Sequence, residues 1–362
     1  MSATPFVVYG PEIWSLQNEG GISRYFQELI GGLSINGIQG KILTQSNTNS
    51  RFKEINVPNF EVKQLTTGPK VSREIDALLE LAGDGSIFHP TYYSNNLKSI
   101  HTNTPTVITV FDMISELYPQ KKPRFRKVVD VKRLSVENSD LVLSISERTK
   151  RDLIELYGVS EDKIVVTYLG SNLHLIPQTK SVADVEGDFI LYVGKRSGYK
   201  NFSNFIRAYS QSKTLNRNFF VIAVGGGKFD SDEISELQKL GIRKKVTQVD
   251  ANDSQLAMYY RSAACLVYPS LYEGFGLPPV EAMSLNCVVV GSSGGSIPEV
   301  CKEAALYFDP TSIDSIEQAL IKTLADEPLM LQMRHAGIEI AKTFSWENTA
   351  LDTLAAYKSL IR

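Results

Sequence analysis

The sequence predicts an α/β protein built as two Rossmann-like, doubly wound domains. Three observations carry that expectation. At 362 residues the chain is longer than one hydrophobic core usually sustains. Two successive series of short apolar strands alternate with helical stretches, which is the βα order of parallel sheets covered by helices. Between the two series lies Ile176-Pro-Gln-Thr-Lys-Ser-Val-Ala-Asp-Val-Glu-Gly187, polar and without periodicity, which reads as a linker.

The first series contains Phe6-Val-Val-Tyr-Gly10, Ser86-Ile-Phe-His-Pro90, Pro105-Thr-Val-Ile-Thr-Val-Phe-Asp112, Asp140-Leu-Val-Leu-Ser-Ile-Ser146 and Lys163-Ile-Val-Val-Thr-Tyr168. These runs are continuously apolar rather than alternating, as parallel strands buried on both faces require. The second series contains strands at 188–194, 219–225, 246–250, 265–269, 287–291 and 305–308. Helical patterns fall at 203–212, 231–240, 254–263 and 279–285, then at 315–325, 328–343 and 346–360. The expected domains are therefore 1–175 and 176–345. Ligands of such sheets bind beyond the carboxyl ends of the strands, so the loops there carry the functional reading.

Composition excludes several classes. Hydrophobic content of 43% and charged content of 22% are ordinary for a globular protein. A formal net charge of −2 gives no global attraction to nucleic acid. Cys265, Cys287 and Cys301 show no metal or redox spacing and suit a reducing compartment. No signal-like or membrane-spanning run is evident, so a cytoplasmic enzyme is expected, with any membrane contact peripheral.

The most informative segment is Glu273-Gly-Phe-Gly-Leu-Pro-Pro-Val-Glu281. A Gly-rich turn after an apolar strand runs into a helix that opens on prolines, which suit a first helical turn. Backbone N–H groups of Gly274, Phe275, Gly276 and Leu277 should converge near the positive end of the helix, where an anion such as a diphosphate is stabilised. Glu273 could then accept hydrogen bonds from sugar hydroxyls, and Glu281 could hold a ribose diol. The structural alternative is a carboxylate that merely complements the helix dipole.

This block resembles the E-x7-E signature of retaining glycosyltransferases of family 4, which have the GT-B fold: two Rossmann-like domains facing a central cleft. The match includes the intervening G-F-G-L-P and the following E-A-M. Val193-Gly-Lys-Arg-Ser-Gly-Tyr-Lys-Asn201 is similar to the family's G-R-x4-K element, which carries a phosphate-binding Arg and Lys. Lys200 matches the Lys. Lys195 occupies the usual Arg position and Arg196 comes one place later; Arg196 is the preferred phosphate ligand, because a guanidinium grips phosphate bidentately. The resemblance also implies that the loop at Val224-Gly-Gly-Gly-Lys228, with Gly225, approaches the nucleotide, and that Val249 lies near the base. The Gly-Gly pair of Gly20-Gly-Ile-Ser-Arg-Tyr25 would approach the donor diphosphate.

In the first domain many family members carry His-Asp where this chain has Phe111-Asp112. The His role is therefore absent. Asp112 is a candidate to orient the acceptor hydroxyl or accept its proton, with a turn or cap residue as the alternative. His89, Tyr92 and Arg24 are candidate acceptor contacts. Asp230-Ser-Asp232 superficially matches a D-x-D metal motif, but Asp230 or Ser231 is more simply a helix N-cap, and no metal is expected to be needed. Lys121, Lys122, Arg124, Arg126, Lys127, Lys132 and Arg133 form a basic run that could be a solvated face or a contact for anionic lipid. The stretch 346–362 resembles the family's last helix, which crosses back onto the first domain.

The resemblance implies a hexosyltransferase acting with retention from a GDP- or UDP-sugar to a hydroxyl of a glycan or lipid-linked acceptor, mannose and surface-polysaccharide assembly being the nearest analogy. The first domain would bind acceptor and the second donor. Two alternatives are a GT-B sugar-nucleotide epimerase and a degenerate sugar-nucleotide binder.

Overall fold

The computed structural model describes residues 4–17, 20–46, 48, 56–66, 70–95, 97, 103–119, 123–177 and 187–361. The chain divides into two compact units, one of residues 1–169 with 346–362, the other of residues 170–345.

The described residues of unit 1 form seven parallel strands: β1 (Phe6–Tyr9), β2 (Gln39–Thr44), β3 (Phe60–Gln64), β4 (Ser86–His89), β5 (Val107–Val110), β6 (Leu141–Ser144) and β7 (Ile164–Val166). Their order is β3-β2-β1-β4 and β5-β6-β7, joined by a bridge between Phe88 and Thr106. β1, β4, β5, β6 and β7 are the runs that the continuous apolar pattern picks out, and β1, β4 and β5 lie side by side. β2 and β3 escape that pattern for a physical reason. β3 is an edge strand with only Phe60 buried, and β2 opens on Gln39-Gly40, whose neighbours leave no room for a side chain: a Cβ on Gly40 would stand 2.6 Å from the Phe60 ring.

The helix expected to open at Gly20-Gly21 spans Gly21–Ile35, but a short helix, Glu12–Leu16, comes first. Helix Trp346–Leu360 packs on Gly21–Ile35. The approach is close, since a Cβ on Gly32 would lie 2.6 Å from that of Ala350. Its Tyr357 hydroxyl meets Tyr9 at 3.1 Å and His89 Nδ1 at 2.5 Å, so strands β1 and β4 are tied to this helix.

The described residues of unit 2 form one sheet of six parallel strands: β8 (Phe189–Val193), β9 (Phe220–Val224), β10 (Val246–Val249), β11 (Cys265–Tyr268), β12 (Val289–Ser292) and β13 (Ala305–Phe308). Their order is β10-β9-β8-β11-β12-β13. The winding reverses between β8 and β11, and ligands of doubly wound sheets bind at such a reversal. Helix Phe202–Gln211 buries Phe202, Phe205, Ile206 and Tyr209 against the sheet, a stripe at i, i+3, i+4 and i+7. All three cysteines are buried and unbridged, and burial pushes their thiols up.

Candidate functional site

The loops that follow β8 and β11 meet at the reversal point of unit 2. Asn201, in the left-handed conformation, donates from its side-chain amide to Pro269 O at 2.9 Å and Pro310 O at 2.7 Å. Leu271 N donates to Tyr199 O at 2.8 Å. These bonds bring Lys200 to Glu273, with Nζ 2.8 Å from Oε1. The ammonium also lies 5.7 Å from the centre of the Tyr268 ring. Glu273 is 7% exposed, and its charge adds to burial in pushing the Tyr268 phenol up.

The Glu273 turn is held from beneath. Ser296 is fully buried and its hydroxyl reaches both Glu273 O at 3.0 Å and Phe275 O at 2.7 Å. Gly295 has φ +64°, and a Cβ there would lie 2.8 Å from Glu273 O and closer still to Glu273 N. The Gly-rich loop before Pro298-Glu299 is therefore a platform on which the turn rests. Gly276, at φ +100°, turns the chain into helix Leu277–Ser284. Pro278 and Pro279 remove two donors from its first turn, leaving the N–H of Leu277 and those of the preceding turn. Phe275 points inward, edge-on to Phe344 at 5.4 Å. Glu281 is 5% exposed, with Oε2 accepting from the Tyr260 hydroxyl at 3.0 Å.

Arg196 departs from the sequence expectation. Its guanidinium is buried and pairs with Glu233, Nε to Oε1 at 2.6 Å and Nη2 to Oε2 at 3.0 Å. It also donates to Gly225 O at 2.7 Å and Gly227 O at 2.9 Å, and lies over the Phe229 ring. A guanidinium so engaged clamps the loop after β9. Gly225, Gly226 and Gly227 are all left-handed, with φ of +84°, +76° and +73°. Three successive residues in that region need both glycine and an external tie. Gly225 N donates to Val249 O at 2.9 Å, so the candidate nucleotide loop and the end of β10 are adjacent. Lys195, by contrast, is exposed. Asp230 caps helix Ser231–Lys239, accepting from Asp232 N and Glu233 N, while Glu233 Oε2 accepts from Asp230 N in return. Glu233 thus joins the cap to the Arg196 clamp.

In unit 1, His89 is not placed to touch an acceptor. It is fully buried, with Nδ1 on Tyr357 and Nε2 3.0 Å from Thr109 Oγ1. Loss of water pushes its pKa down to about 3, so it is a neutral core residue. Phe111 sits edge-on to Tyr25 at 5.1 Å, in an aromatic cluster where the family's His would stand. Asp112 Oδ1 accepts from Ile114 N at 2.9 Å, which gives it a turn-capping bond at the end of β5. Tyr92 is half-buried, and the charge of Asp112 adds to burial in raising its phenol to about 12. Arg24 is half-buried on helix Gly21–Ile35, and a Cβ on Gly21 would enter open space. Sequence reasoning passed over Asn201 and Tyr268, although Asn201 had a signal in the Lys200-Asn201 pair. The segment Ser292-Ser-Gly-Gly-Ser-Ile-Pro-Glu299 reads from sequence as a strand–loop–helix start that resembles the family's Gly-rich loop before P-E and supports the Glu273 turn; the bonds of Ser296 are how it does so.

The basic run changes character. Lys132 is buried, bonded to Glu116 Oε2 at 2.8 Å and to Asp112 O at 2.8 Å. Arg133 packs over the Tyr157 ring and donates to Leu156 O. Arg126 and Lys127 are exposed, while Lys121, Lys122 and the Arg124 side chain lie outside the described residues. No helix among the described residues is long and apolar enough to cross a membrane.

Comparison with known proteins agrees with these features. Residues 178–342 match the family Glycosyl transferases group 1, and residues 19–175 match Glycosyltransferase Family 4. O-antigen chain mannosyltransferase B of Escherichia coli is 30% identical over 283 residues, covering 74% of each chain. The serotype-specific mannosyltransferase WbdA of Escherichia coli is 25% identical over 297 residues, which are 76% of this chain and 36% of that longer protein. Sucrose-phosphate synthase from Thermosynechococcus elongatus has a similar fold, with TM-score 0.79 over 99% of both chains at 20% identity. The paired loops at the reversal point of unit 2 and the matches across both units lead to one conclusion: this chain belongs to glycosyltransferase family 4 and has the GT-B fold.

Proposed function

We propose that this glycosyltransferase moves a hexosyl group, mannose by analogy with its relatives, from a nucleotide sugar to a hydroxyl of a glycan or lipid-linked glycan, with retention, in surface-polysaccharide assembly. The observation that carries the reading is the Lys200–Glu273 pair at the reversal point of unit 2. When the bond from sugar to diphosphate breaks, negative charge builds on the departing oxygen. Lys200 is a fixed cation for that charge, and Glu273 fixes it while presenting carboxylate oxygen to sugar hydroxyls. Glu281, next to Tyr260 and one turn into the helix, is the candidate ribose ligand. The reading is tested by mixing the enzyme with GDP-mannose or UDP-glucose, with and without a mannoside acceptor, in EDTA. We expect nucleoside diphosphate to be released only when acceptor is present, and EDTA to leave the rate intact. Release without acceptor would favour the epimerase alternative, and loss of activity in EDTA would remove the metal-free reading.

The two cations after β8 should divide their roles. Lys195→Ala should weaken GDP or UDP binding while leaving affinity for the bare nucleoside unchanged, since an exposed ammonium at the family's Arg position can reach only the phosphates. Arg196→Ala should weaken nucleoside and diphosphate alike, by about tenfold, as loss of charge-assisted bonds that hold the loop would. Calorimetric titration checks this. An Arg196 variant that loses affinity for the diphosphate only would make it a phosphate ligand after all.

A further inference from the structure

The loop between β8 and helix Phe202–Gln211 carries Lys195 and Lys200, and one buried hydroxyl lies beneath both. The loop turns sharply, with φ of +128° at Gly194, +63° at Gly198 and +59° at Asn201. A chain that turns this often is fixed by bonds from outside it. Its far half is tied to the loop after β11 through Tyr199 O and the Asn201 amide. Its near half rests on Tyr192 of β8. The Tyr192 hydroxyl donates to Lys195 O at 2.5 Å and lies 3.5 Å from Lys200 O. The first and the last cation of the loop therefore share one phenol.

Packing alone does not call for that hydroxyl. Tyr192 is fully buried, edge-on to Phe202 at 4.8 Å and parallel to Phe205 at 6.4 Å, and a phenylalanine ring would fill the same space. What the oxygen adds is a bond to the backbone that bears the cations. Burial pushes the phenol up, and the charge of Glu273 adds to the shift, so the group stays protonated and able to donate. The Lys200 side chain is held by other means. Its ammonium pairs with Glu273 and lies 5.2 Å from the centre of the Tyr199 ring. Those contacts set where the ammonium points, whereas the bond beneath sets where its stem begins.

Resting on the donor-site reading, we propose that Tyr192 is a positioning residue for the transfer: its hydroxyl sets the spacing of the Lys195 and Lys200 backbones, so that both ammonium groups address one diphosphate. Being buried, Tyr192 touches neither donor nor acceptor. It acts through Lys195 on affinity for the diphosphate. It acts through Lys200 on the charge that builds as the sugar departs.

The test is Tyr192→Phe in the full chain, alone and combined with Lys195→Ala or Lys200→Ala. Calorimetry with GDP, UDP, guanosine and uridine reads affinity. The reaction is read as kcat at saturating GDP-mannose or UDP-glucose with the mannoside acceptor. We expect Tyr192→Phe to lower kcat about tenfold, the scale of a small displacement of a transition-state group. It should weaken GDP or UDP about threefold and leave the bare nucleosides unchanged, as loss of one indirect hydrogen bond would. With Lys200→Ala present it should lower kcat no further, and with Lys195→Ala present it should weaken the diphosphate no further. A residue that acts through a partner has nothing to act on once the partner is gone. Wild-type kcat in Tyr192→Phe, a fall undiminished beside Lys200→Ala, an equal loss of nucleoside affinity, or failure to fold would each overturn the proposal. The donor-site reading is judged separately, by Lys200→Ala alone. It stands if that change lowers kcat, whatever Tyr192→Phe does; if Lys200→Ala keeps full kcat, the reading falls and this proposal with it.

Discussion

Lys200→Ala lowers turnover by roughly 10²-fold or more, the scale of removing a preorganised charge from a transition state. The same change strands Glu273, a carboxylate 7% exposed, without its cation. It should therefore also destabilise unit 2, by about 1–3 kcal/mol. The two effects separate in the double variant Lys200→Ala/Glu273→Gln. An amide in place of the stranded carboxylate relieves the buried charge, so stability should return towards wild type. Turnover should not, because neither the cation nor the carboxylate is present for the reaction. Denaturant midpoints and acceptor-dependent turnover, measured on the same preparations, decide it. If turnover recovers along with stability, the pair is structural and the donor-site assignment fails.

The second large effect is expected at Gly295, a residue with no functional group. Its backbone is left-handed and faces the Glu273 peptide across a gap that admits only hydrogen. Gly295→Ala adds a Cβ against backbone atoms, which cannot swing aside as a flexible side chain can. The positive φ alone costs about 1–2 kcal/mol for an L side chain. Either the loop or the Glu273 turn must move, and a shift near 1 Å can cost about 10²-fold in rate. We expect the variant to lose at least about 2 kcal/mol of stability and most of its turnover. Gly294→Ala meets Leu271 O in the same way, whereas Gly241→Ala, also left-handed but with open space around it, is the control that keeps its activity. Equal activity in Gly295→Ala and Gly241→Ala would mean that the platform does not position Glu273.

These sites show what the sequence made legible. The central strands β8, β9, β11 and β12 of unit 2 were readable because each is a short run buried on both faces, so hydrophobicity alone marks it. The edge strand β3 was not, since exposure on one side dilutes that signal. Glu273, Glu281 and Lys200 were legible as types at fixed spacing in strand-end loops. Arg196 shows a limit of reading by residue type. Chemical suitability for phosphate said nothing of Glu233, thirty-seven positions on, whose carboxylate claims the guanidinium. A strand-end histidine, His89, looks available until Tyr357 reaches it from helix Trp346–Leu360. The basic run shows the same limit, because Lys132 turns inward to Glu116. Local pattern reveals elements and motifs, while the partner that consumes a side chain is commonly remote.

The return of helix Trp346–Leu360 to unit 1 has a consequence for how the protein comes into being. A polypeptide emerges from the ribosome in order, and residues 170–345 contain every described strand of unit 2. That half can therefore close its sheet while helix Trp346–Leu360 is still being synthesised. Unit 1 lacks Ala350 against Gly32, and the Tyr357 hydroxyl against Tyr9 and His89, until that helix is made. Its strands are made before those of unit 2, and its packing is completed after them.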